Sequence, residues 1–463
     1  MKVNSCRQSL FAIVDSSDLR YAFRRMKTVI VGTGYVGLVS GLGYASIGHR
    51  VTCVDTNAAR IGKLQLGEAP FYEFGLSQLL QDRQQEDRIR FTTELKDALA
   101  ETDVILLAVG TPAAPTGEAD LRSLFMAADQ IGAYLDHEAL VVVKSTVPVG
   151  TCQKVLERVR AAMEASQHTD AAETIQIASA PEFLSEGKAI EGFFHPARLV
   201  FGTDDPVARA TLEHLHEGIP GPRVWTTLES SELIKYTANA FLATKIAFIN
   251  EIANVCERVG ADVRVVAKAL GLDPRIGPAF LQAGVGYGGS CFPKDVSALY
   301  QIAGSNGYEF KVLSAVIEAN NRQRDLFFKK AETVLGGWKG RAVAVWGLAF
   351  KGGTDDVRES IAIDLIQRMD ARGAEVTVYD PLAMENARPF FSDRVTFAPT
   401  AVDAVSGAEI LFVLTDCPEF REVSFEAVRE NMLSPVIFDG RNYLCHLPLS
   451  SHGFAYYGVG ARG

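Results

Sequence analysis

The sequence has no closely spaced pair of cysteines. Its seven cysteines are an odd number, scattered along 463 residues. Paired cysteines stabilise small secreted domains, whereas scattered free cysteines are typical of proteins in reducing compartments. We therefore expect a cytoplasmic protein without a disulfide framework, and we expect no metal site.

Long apolar runs and an excess of positive charge are also missing. No apolar stretch approaches the roughly 18 residues that a membrane-spanning helix requires, so we expect no membrane insertion. The formal net charge is -10, which argues against nucleic acid as a partner. Residues 1–25 contain one short apolar patch and no small-residue cleavage site, so we interpret them as a flexible extension rather than a signal peptide.

A glycine-rich turn follows the first predicted strand, residues 27–31, and precedes a helical pattern. It reads Gly32-Thr33-Gly34-Tyr35-Val36-Gly37, and the next strand ends at Asp55. This context is typical of a dinucleotide site, because glycines let a pyrophosphate approach the helix N-terminus and the acid accepts hydrogen bonds from the ribose. Asp55 repels a 2′-phosphate, so NAD is favoured over NADP. Arg60 either softens that preference or forms a surface ion pair.

Strand-like runs alternate with helical patterns on both sides of a helical middle section. Two early strands end in polar motifs, Val109-Gly110-Thr111-Pro112 and Lys144-Ser145-Thr146-Val147-Pro148, and a second alternation begins at residue 342. Alternation of this kind predicts parallel sheets that bind ligands at the carboxyl edge. We predict an α/β protein with two doubly wound, Rossmann-like parallel-sheet domains, joined by a central helical domain with one long helix. The predicted divisions are an extension at 1–25, an NAD-binding domain at 26–222, the central domain at 223–338 and a second α/β domain at 339–463.

One long helix is predicted in the middle section, where residues 223–273 contain no proline. Its body, residues 233–259, is apolar on most faces, and Ser230 or Ser231 is the expected cap. Lys235 and Asn239 lie one turn apart on the same face. A lysine in so apolar a helix is costly unless it meets an anion or a ligand, although lysines commonly extend to the surface instead.

A single thiol stands in the glycine-rich segment that follows. The segment reads Gly284-Val285-Gly286-Tyr287-Gly288-Gly289-Ser290-Cys291-Phe292-Pro293-Lys294-Asp295. Glycines let a bulky ligand come close to the backbone, and a nearby cation favours the nucleophilic thiolate. The alternative is an ordinary turn with a buried free cysteine.

Ordered motifs along the chain carry a resemblance to a known family. They are GTGYVG (32–37), VGTP (109–112), STVPVG (145–150), PEFLSEG (181–187), ELIKYTANAFLATKIAFINEIAN (232–254), DPRIGPAFL (273–281), GYGGSCFPKD (286–295), GLAFKGGTDDVRES (347–360) and DGR (439–441). From residue 27 to about 443 the chain closely resembles the nucleotide-sugar 6-dehydrogenases, and among them those that act on UDP-glucose. Two positions depart from the family pattern: Ala180 replaces the usual Asn, and Ala197 the usual Asp.

The resemblance implies that NAD-dependent oxidation converts a sugar C6 alcohol to a carboxylate in two hydride transfers. It implies that Cys291 holds the intermediate as a thiohemiacetal and then a thioester. Lys235 and Asn239 would stabilise the oxyanion, Asp295 and Thr146 would position a water, and Glu182 would act as the base for hydrolysis. A homodimer or higher homo-oligomer through the central domain is also expected.

The same resemblance implies two sets of binding residues. The expected NAD contacts are Gly32, Gly34, Tyr35, Val36, Gly37, Asp55, Arg60, Thr111, Thr146, Glu186, Lys294 and Arg358. The expected UDP-glucose contacts are Glu182, Phe183, Leu184, Lys235, Asn239, Phe280, Leu281, Gly284, Gly288, Lys351 and Arg441, with Arg275 reaching the site from a neighbouring subunit.

Other functions remain open at this point. A related enzyme that acts on GDP-mannose shares much of the pattern. A two-electron 3-hydroxyacid dehydrogenase has a Rossmann domain and a Lys/Asn pair but needs neither Cys291 nor the C-terminal domain. A non-catalytic NAD-binding regulator predicts a missing nucleophile or lysine, whereas both are present.

Overall fold

A computed structural model describes residues 25–114 and 116–461 of the chain. The predicted N-terminal extension therefore lies, except for Arg25, outside the described residues. Within the described residues, no helix has the length and apolarity needed to cross a membrane.

The first half of the chain forms an eight-stranded sheet in the order β3-β2-β1-β4-β5-β6-β7-β8. Its strands are β1 (Lys27–Val31), β2 (Arg50–Val54), β3 (Ile89–Thr92), β4 (Val104–Leu107), β5 (Leu140–Val143), β6 (Gln176–Ser179), β7 (Leu199–Gly202) and β8 (Arg223–Thr226). Neighbouring strands are parallel except β6 and β7, which pair in antiparallel fashion. The strand order reverses between β1 and β4, which is where sheets of this kind bind their ligands.

Helices cover both faces of this sheet. They are α1 (Tyr35–Ser46), α2 (Ala58–Gln65), α3 (Leu76–Gln85), α4 (Leu95–Ala98), α5 (Arg122–Tyr134), α6 (Thr151–Ala165), α7 (Thr169–Thr174), α8 (Ala189–Phe194) and α9 (Pro206–Leu215). Successive residues of a strand face opposite sides of the sheet. Ile30 accordingly packs with Leu38 of α1 in one apolar core, and Val29 packs with Leu124 of α5 in the other.

The middle of the chain is helical. It comprises α10 (Leu228–Val259), α11 (Val263–Gly271), α12 (Phe292–Ser305) and α13 (Lys311–Leu335). The long helix was predicted, but its cap is neither serine: the Thr227 side chain accepts a hydrogen bond from Ser230 N at 3.3 Å, and the helix begins at residue 228. Small residues of α10, Ala243 and Ala247, are buried in the core that α12 and α13 complete.

A second sheet follows, in the order β11-β10-β9-β12-β13-β14 with every neighbouring pair parallel. Its strands are β9 (Ala342–Trp346), β10 (Glu375–Tyr379), β11 (Thr396–Phe397), β12 (Ile410–Val413), β13 (Val436–Asp439) and β14 (Ala455–Tyr457). The accompanying helices are α14 (Ile361–Ala371), α15 (Met384–Ala387), α16 (Ala401–Ala404), α17 (Glu419–Glu422) and α18 (Phe425–Asn431), with 3-10 turns at Arg388–Phe390 and Leu449–His452.

The predicted fold class, two parallel-sheet Rossmann-like domains with a helical section between them, is confirmed. One predicted division was placed too early. The first sheet continues past residue 222, because β8 pairs in parallel with β7. The proline-free run that begins at residue 223 suggested a boundary there, whereas the pairing of β8 with β7 carries the sheet to Thr226.

Candidate active site

The glycine-rich turn between β1 and α1 has the geometry that its sequence predicts. Gly32 has φ 101°, and a Cβ on Gly37 would lie 1.9 Å from Gly32 O, so neither position accommodates a side chain. Around Gly34, the N-cap of α1, no atom lies within 4 Å of the place a Cβ would take. This open approach to a helix N-terminus fits a pyrophosphate. Val36 packs against the core beside it.

Asp55 lies at the end of β2, beside the turn. Its Oδ2 accepts hydrogen bonds from Thr33 N and Thr33 Oγ1, both at 2.8 Å, and its Oδ1 accepts one from Asn57 N at 2.9 Å. Partial burial acts to raise the pKa of Asp55, but these hydrogen bonds and Arg60 outweigh it and lower the pKa. Arg60 Nη1 is 3.0 Å from Asp55 Oδ2. Arg60 thus makes the ion pair that was one of its two expected roles, and Asp55 is an ionised carboxylate beside the turn.

Two strand ends meet at the carboxyl edge of the sheet. Thr111, which follows β4, donates its hydroxyl to Thr146 O at 2.8 Å, and Ser145 Oγ donates to Val109 O at 2.7 Å. These bonds join the two polar motifs predicted from the sequence and place Thr111 and Thr146 side by side. Parallel pairing of β4 with β5 is the reason, since it brings both carboxyl ends to one edge.

A buried ion pair lies next to this edge. Lys235 Nζ of α10 is 3.0 Å from Glu182 Oε1, and the two side chains are only 4% and 9% exposed. Glu182 Oε2 also accepts a hydrogen bond from Leu184 N at 2.5 Å, and Lys235 Nζ lies 5.3 Å from the centre of the Phe183 ring. Burial acts to raise the pKa of Glu182, but Lys235 and the Leu184 amide outweigh it and lower the pKa. The carboxylate is therefore ionised and held in place.

A second polar pair lies one turn further along α10. Asn239 Nδ2 donates to Asp295 Oδ2 at 2.6 Å, and Lys294 forms an ion pair with the other oxygen of Asp295. Asp295 lies in the first turn of α12 and is 1% exposed. The negative charges of Glu182 and Asp295 outweigh the burial of Lys235 and raise its pKa. Lys235 and Asn239, predicted on one helix face, thus present an ammonium and an amide to the same small volume.

Cys291 is the N-cap of α12 and is exposed, with its Sγ 3.5 Å from Ser290 Oγ. The expectation that nearby positive charge favours the thiolate is wrong for this arrangement. Crowding of the thiol by protein and the negative charge of Glu182 raise the pKa of Cys291, and Lys235 does not compensate. Burial is the largest cause, and Glu182, which is distant in sequence, and Asp295, four residues away, both act in the same direction. The resting residue is a thiol with Lys235, Glu182 and Asp295 around it.

Glu186 and Arg358 meet at the junction of the two sheets. Arg358 Nη2 lies 3.6 Å from Glu186 Oε1 and 2.6 Å from Asp356 Oδ2, and Ser290 Oγ donates to Glu186 Oε1 at 3.3 Å. Burial and the neighbouring carboxyl of Asp356 raise the pKa of Glu186 to about 7, against the effect of Arg358. A protonated Glu186 is a hydrogen-bond donor beside Ser290, the residue that precedes Cys291.

The C-terminal domain contributes two cations to the same region. Lys351 Nζ donates to Ser185 Oγ at 2.9 Å, which joins the loop after β9 to the loop after β6. Arg441 is bound by main-chain carbonyls, with Nη2 2.6 Å from Phe350 O, Nε 2.9 Å from Leu414 O and Nη1 3.4 Å from Gly286 O. Arg441 therefore fastens the glycine-rich segment to the second sheet.

The glycines before Cys291 are required by close packing. A Cβ on Gly284 would lie 2.7 Å from Gly440 O, and one on Gly288 would lie 2.2 Å from Glu359 O. Leu281 is buried, whereas Phe280 is 40% exposed and has φ 63°. This segment lies between the central helices and the second sheet, since Gly284 N donates to Asn250 Oδ1 of α10 at 2.9 Å and Gly284 packs against Gly440.

Arg275, an expected substrate contact, lies on the surface of the chain. Its side chain is 88% exposed and forms an ion pair with Asp273 at 2.6 Å. Within the chain it does not join the cluster, which is consistent with the expectation that it serves a neighbouring subunit.

Sequence reasoning missed two residues of this region, Lys144 and Glu73. Lys144, at the end of β5, is buried and lies near Glu182. Glu73 is buried and accepts hydrogen bonds from Gly187 N and Ala189 N, both at 2.7 Å, and from Tyr35 Oη. Burial and Glu73 raise the pKa of Tyr35, so its hydroxyl stays protonated and fastens α1 to the Glu73 network. For Lys144 a signal was available, since it ends an entirely apolar strand; for Glu73 there was none.

Of the two departures from the family pattern, Ala180 is buried and its N donates to Val143 O at 2.9 Å. Ala197 lines a cavity behind Glu182, next to Arg198, whose guanidinium stacks on the Phe183 ring at 3.9 Å. Neither departure removes a residue of the cluster around Cys291.

Comparison with known proteins adds independent findings. Three domain models of the UDP-glucose/GDP-mannose dehydrogenase family match the chain: the NAD binding domain at residues 26–219, the central domain at 229–322 and the UDP binding domain at 344–446. The UDP-glucose 6-dehydrogenase TuaD of Bacillus subtilis is 45% identical over 434 residues, which cover 94% of this chain and 93% of that protein. A UDP-glucose 6-dehydrogenase of Pseudomonas aeruginosa is 40% identical over 444 residues, covering 94% of this chain and 97% of that protein.

A solved structure agrees. The UDP-glucose dehydrogenase of the archaeon Pyrobaculum islandicum superimposes with a TM-score of 0.87 at 36% sequence identity, covering 96% of this chain and 99% of that chain. The fold, the dinucleotide site and the C-terminal domain thus have counterparts over nearly the whole length.

Proposed function

Because the chain belongs to the UDP-glucose/GDP-mannose dehydrogenase family, we propose that it oxidises the C6 alcohol of UDP-glucose to the carboxylate of UDP-glucuronate, with NAD as oxidant. The observation that carries this proposal is the cluster around Cys291. Cys291, an exposed residue whose thiol feels the charges of Glu182, Lys235 and Asp295, lies beside a buried Lys235–Glu182 pair and a buried Asn239–Asp295 pair. A simple two-electron alcohol dehydrogenase needs no such nucleophile.

The first oxidation removes a hydride from C6 and a proton from its hydroxyl. The Gly32–Gly37 turn and Asp55 would hold NAD, which would supply the hydride acceptor for each of the two oxidations. Asp295, held by Asn239 and Lys294, lies where it can position the water that takes the proton, with Thr146 at the edge of the sheet.

The aldehyde is then captured by the chain itself. The Cys291 sulfur bonds to C6, and its proton leaves as the carbonyl oxygen becomes a hydroxyl or alkoxide. Lys235 and Asn239 stabilise negative charge on that oxygen; one well-placed donor is typically worth roughly 3 kcal/mol of transition-state stabilisation. Because the resting thiol holds its proton, a nearby base must take that proton for the sulfur to attack.

Removal of a second hydride converts the thiohemiacetal to a thioester, and water cleaves it. Glu182 is ionised, buried and fixed by Lys235 and Leu184 N, which suits it to deprotonate that water. Cleavage of the C–S bond returns the thiol and releases the carboxylate. Two molecules of NAD are reduced for each sugar.

Counting NADH per sugar tests the proposal. Purified protein is mixed with NAD and a limiting amount of UDP-glucose, GDP-mannose or a 3-hydroxyacid. We expect two NADH per UDP-glucose, with UDP-glucuronate as product, and little reaction with the other compounds. Two NADH per GDP-mannose would assign the other substrate of the family, and one NADH per substrate would contradict the four-electron reaction.

A Cys291→Ser variant provides the control for covalent capture. It keeps the size of the residue and the Ser290 contact but lacks the thiol, so we expect NAD binding without steady-state carboxylate formation. Mass spectrometry of the unaltered protein during turnover should detect an adduct on the peptide containing Cys291. Normal product formation by the serine variant would refute the covalent step.

The substrate contacts are proposed on the same basis. Lys351 and Arg441 extend from the C-terminal domain toward the loop 181–187 and the segment before Cys291, and a UDP binding domain model matches their domain. Lys351→Met should raise the KM for UDP-glucose with little effect on the KM for NAD, which separate titrations of the two ligands would measure.

Self-association through the central domain is proposed from an exposed apolar stripe on α10. Leu233, Phe241, Phe248, Val255 and Val259 recur at intervals of seven or eight residues and then four, and each is at least 41% exposed. Such a stripe is typical of a subunit interface, and a partner there would let Arg275 reach a neighbouring site. We propose a homodimer or higher homo-oligomer; Phe248→Asp should shift light-scattering mass toward the monomer.

A cytoplasmic location is proposed on the chemistry of the cysteines. Among the described residues, all six cysteines are free, four of them buried. A reducing compartment keeps the Cys291 thiol available for reaction. Localisation of the tagged full-length chain by fractionation would test this directly.

A further inference from the structure

A cavity of about 330 Å³ is lined in part by Glu182, and none of its lining residues belongs to the central helices α10 to α13. Its wall includes the loop that holds Glu182 and Phe183, the start of β7 and the end of β5 at Lys144. Because a lysine and a carboxylate share this wall, the charge state of one affects the other.

Lys144 is a buried lysine for which the reaction described above has no use. It is 8% exposed, and its main-chain N donates to Leu107 O at 2.9 Å, so its backbone is fixed by the sheet. Burial lowers the pKa of its ammonium to about 8, while Glu182 attracts the ammonium and Lys235 repels it. A buried cation persists when an anion compensates its charge, and the anion that attracts the Lys144 ammonium is Glu182, which lines the same cavity.

Lys235 cannot neutralise Glu182 and stabilise the reacting oxygen at the same time. At rest Lys235 neutralises Glu182 from 3.0 Å. During the reaction the same ammonium has to stabilise negative charge on the sugar oxygen, and Glu182 would then be a buried carboxylate without its cation. Such a carboxylate takes up a proton and ceases to be a base.

We propose, on the basis of the function proposed above, that Lys144 is a positioning residue for Glu182. The ammonium groups of Lys144 and Lys235 both attract the Glu182 carboxylate. Lys144 keeps that carboxylate ionised while Lys235 stabilises negative charge on the reacting oxygen. Lys144 itself does not contact the sugar. Hydrolysis of the thioester, the step that needs Glu182 as base, is the step that depends on it.

Other titratable groups face the same space. His216 hydrogen-bonds to Tyr44 Oη at 2.9 Å, and burial with the positive charge of Lys144 lowers its pKa to about 3, so it is neutral. The remaining charged or titratable groups that line the cavity are Lys188, Glu191, His195 and Arg198. Arg198 stacks on Phe183, and Lys188 is exposed to solvent. Lys188→Met is therefore a matched control, because it removes a lysine from the same cavity without removing one near Glu182.

Lys144→Met tests the proposal, since methionine keeps the length and apolar packing of the stem. We expect kcat for UDP-glucuronate formation to fall roughly 10- to 100-fold with little change in KM, because a weakened base loses part of its catalytic factor. In a plot of kcat against pH, the acid limb should move about one pH unit upward, because loss of a nearby cation raises the pKa of the Glu182 carboxyl. The Cys291 adduct should accumulate, since its hydrolysis is slowed.

Lys144→Arg should restore most of the loss, and Lys188→Met should resemble the unaltered protein. A merely structural role for Lys144 would instead lower kcat without moving the pH limb or accumulating the adduct, and that result would overturn the proposal. If Lys144→Met does not fold, as judged by circular dichroism, Lys144→Gln takes its place.

A second measurement needs no turnover. The rate at which acetic anhydride labels the Lys144 amine is followed against pH by mass spectrometry, in the unaltered protein and in Glu182→Gln. Because coupling is reciprocal, loss of the carboxylate should lower the midpoint below the one near pH 8. An unchanged midpoint refutes the coupling. Failure of the proposed function would instead appear as one NADH, or none, per UDP-glucose and would leave this midpoint shift intact.

Discussion

Removal of Lys235 should destabilise the protein through the charge it leaves behind. In Lys235→Met, Glu182 keeps its burial and its Leu184 N contact but loses the ammonium at 3.0 Å. Breaking a buried pair from one side costs about 3–5 kcal/mol. We expect the lower end, about 3 kcal/mol, because Lys144 remains as a second cation. At about 2–4 °C per kcal/mol for a domain of this size, the unfolding midpoint should fall by about 6–12 °C at pH 8.

The pH dependence follows from the direction of each pKa. In the unaltered protein the folded pKa of Glu182 is lowered, so its stabilising contribution is present above the unfolded pKa and is lost as pH falls through the folded pKa. In Lys235→Met burial is no longer opposed by Lys235, so the folded pKa rises. The difference in unfolding midpoint between the two proteins should therefore be largest near pH 8 and should shrink toward pH 5.

The double variant Lys235→Met/Glu182→Gln is the decisive control. It removes both charges, so no carboxylate is buried without its cation, and most of the lost stability should return. Differential scanning calorimetry of the single and double variants at pH 5, 6.5 and 8 makes the comparison. The reasoning is refuted if the double variant is no more stable than Lys235→Met, or if the loss in Lys235→Met is the same at all three pH values.

Three further predictions concern the dinucleotide site and its surroundings. Asp55→Ala should lower the affinity for NAD roughly 30- to 150-fold, because one or two charge-assisted hydrogen bonds are lost. The affinity for UDP-glucose should stay unchanged in the same calorimetric titrations, and equal losses for the two ligands would argue against the ribose contact. Gly34→Ala, with open space around it, should keep its unfolding midpoint but lose NAD affinity, whereas Gly37→Ala, whose Cβ would lie 1.9 Å from Gly32 O, should lower the midpoint itself. Burial raises the pKa of Glu186 to about 7, so its ionisation opposes folding as pH rises from about 4.5 to 7; Glu186→Gln should be the more stable protein at pH 8 and equal at pH 5, and the opposite order would contradict this.

Elements with strong local signals were predictable. Apolar runs located β1 at residues 27–31 and the start of β9 at residue 342, and the glycine-rich turn identified the NAD binding domain. The long helix was predicted, but its start was displaced by a few residues, because a threonine and two serines near the start all resemble a cap and only hydrogen-bond geometry chooses among them. The boundary at residue 222 was misplaced because pairing of β8 with β7 is a long-range interaction with no local signature.

The amino-acid sequence by itself determined the alternation of strands and helices, the glycines that a close backbone approach requires, and the presence of one thiol after such a segment. Only the tertiary structure decided the electrostatics of that thiol. Glu182, Lys235 and Asp295 come from three different elements, and their charges act over a few ångströms that the chain creates by folding. The same is true of Lys144, whose position beside Glu182 follows from neighbouring strands and from a cavity that no motif describes. Secondary-structure propensity depends on residues that are neighbours in the sequence, whereas the energy of a buried charge depends on the groups that surround it in space.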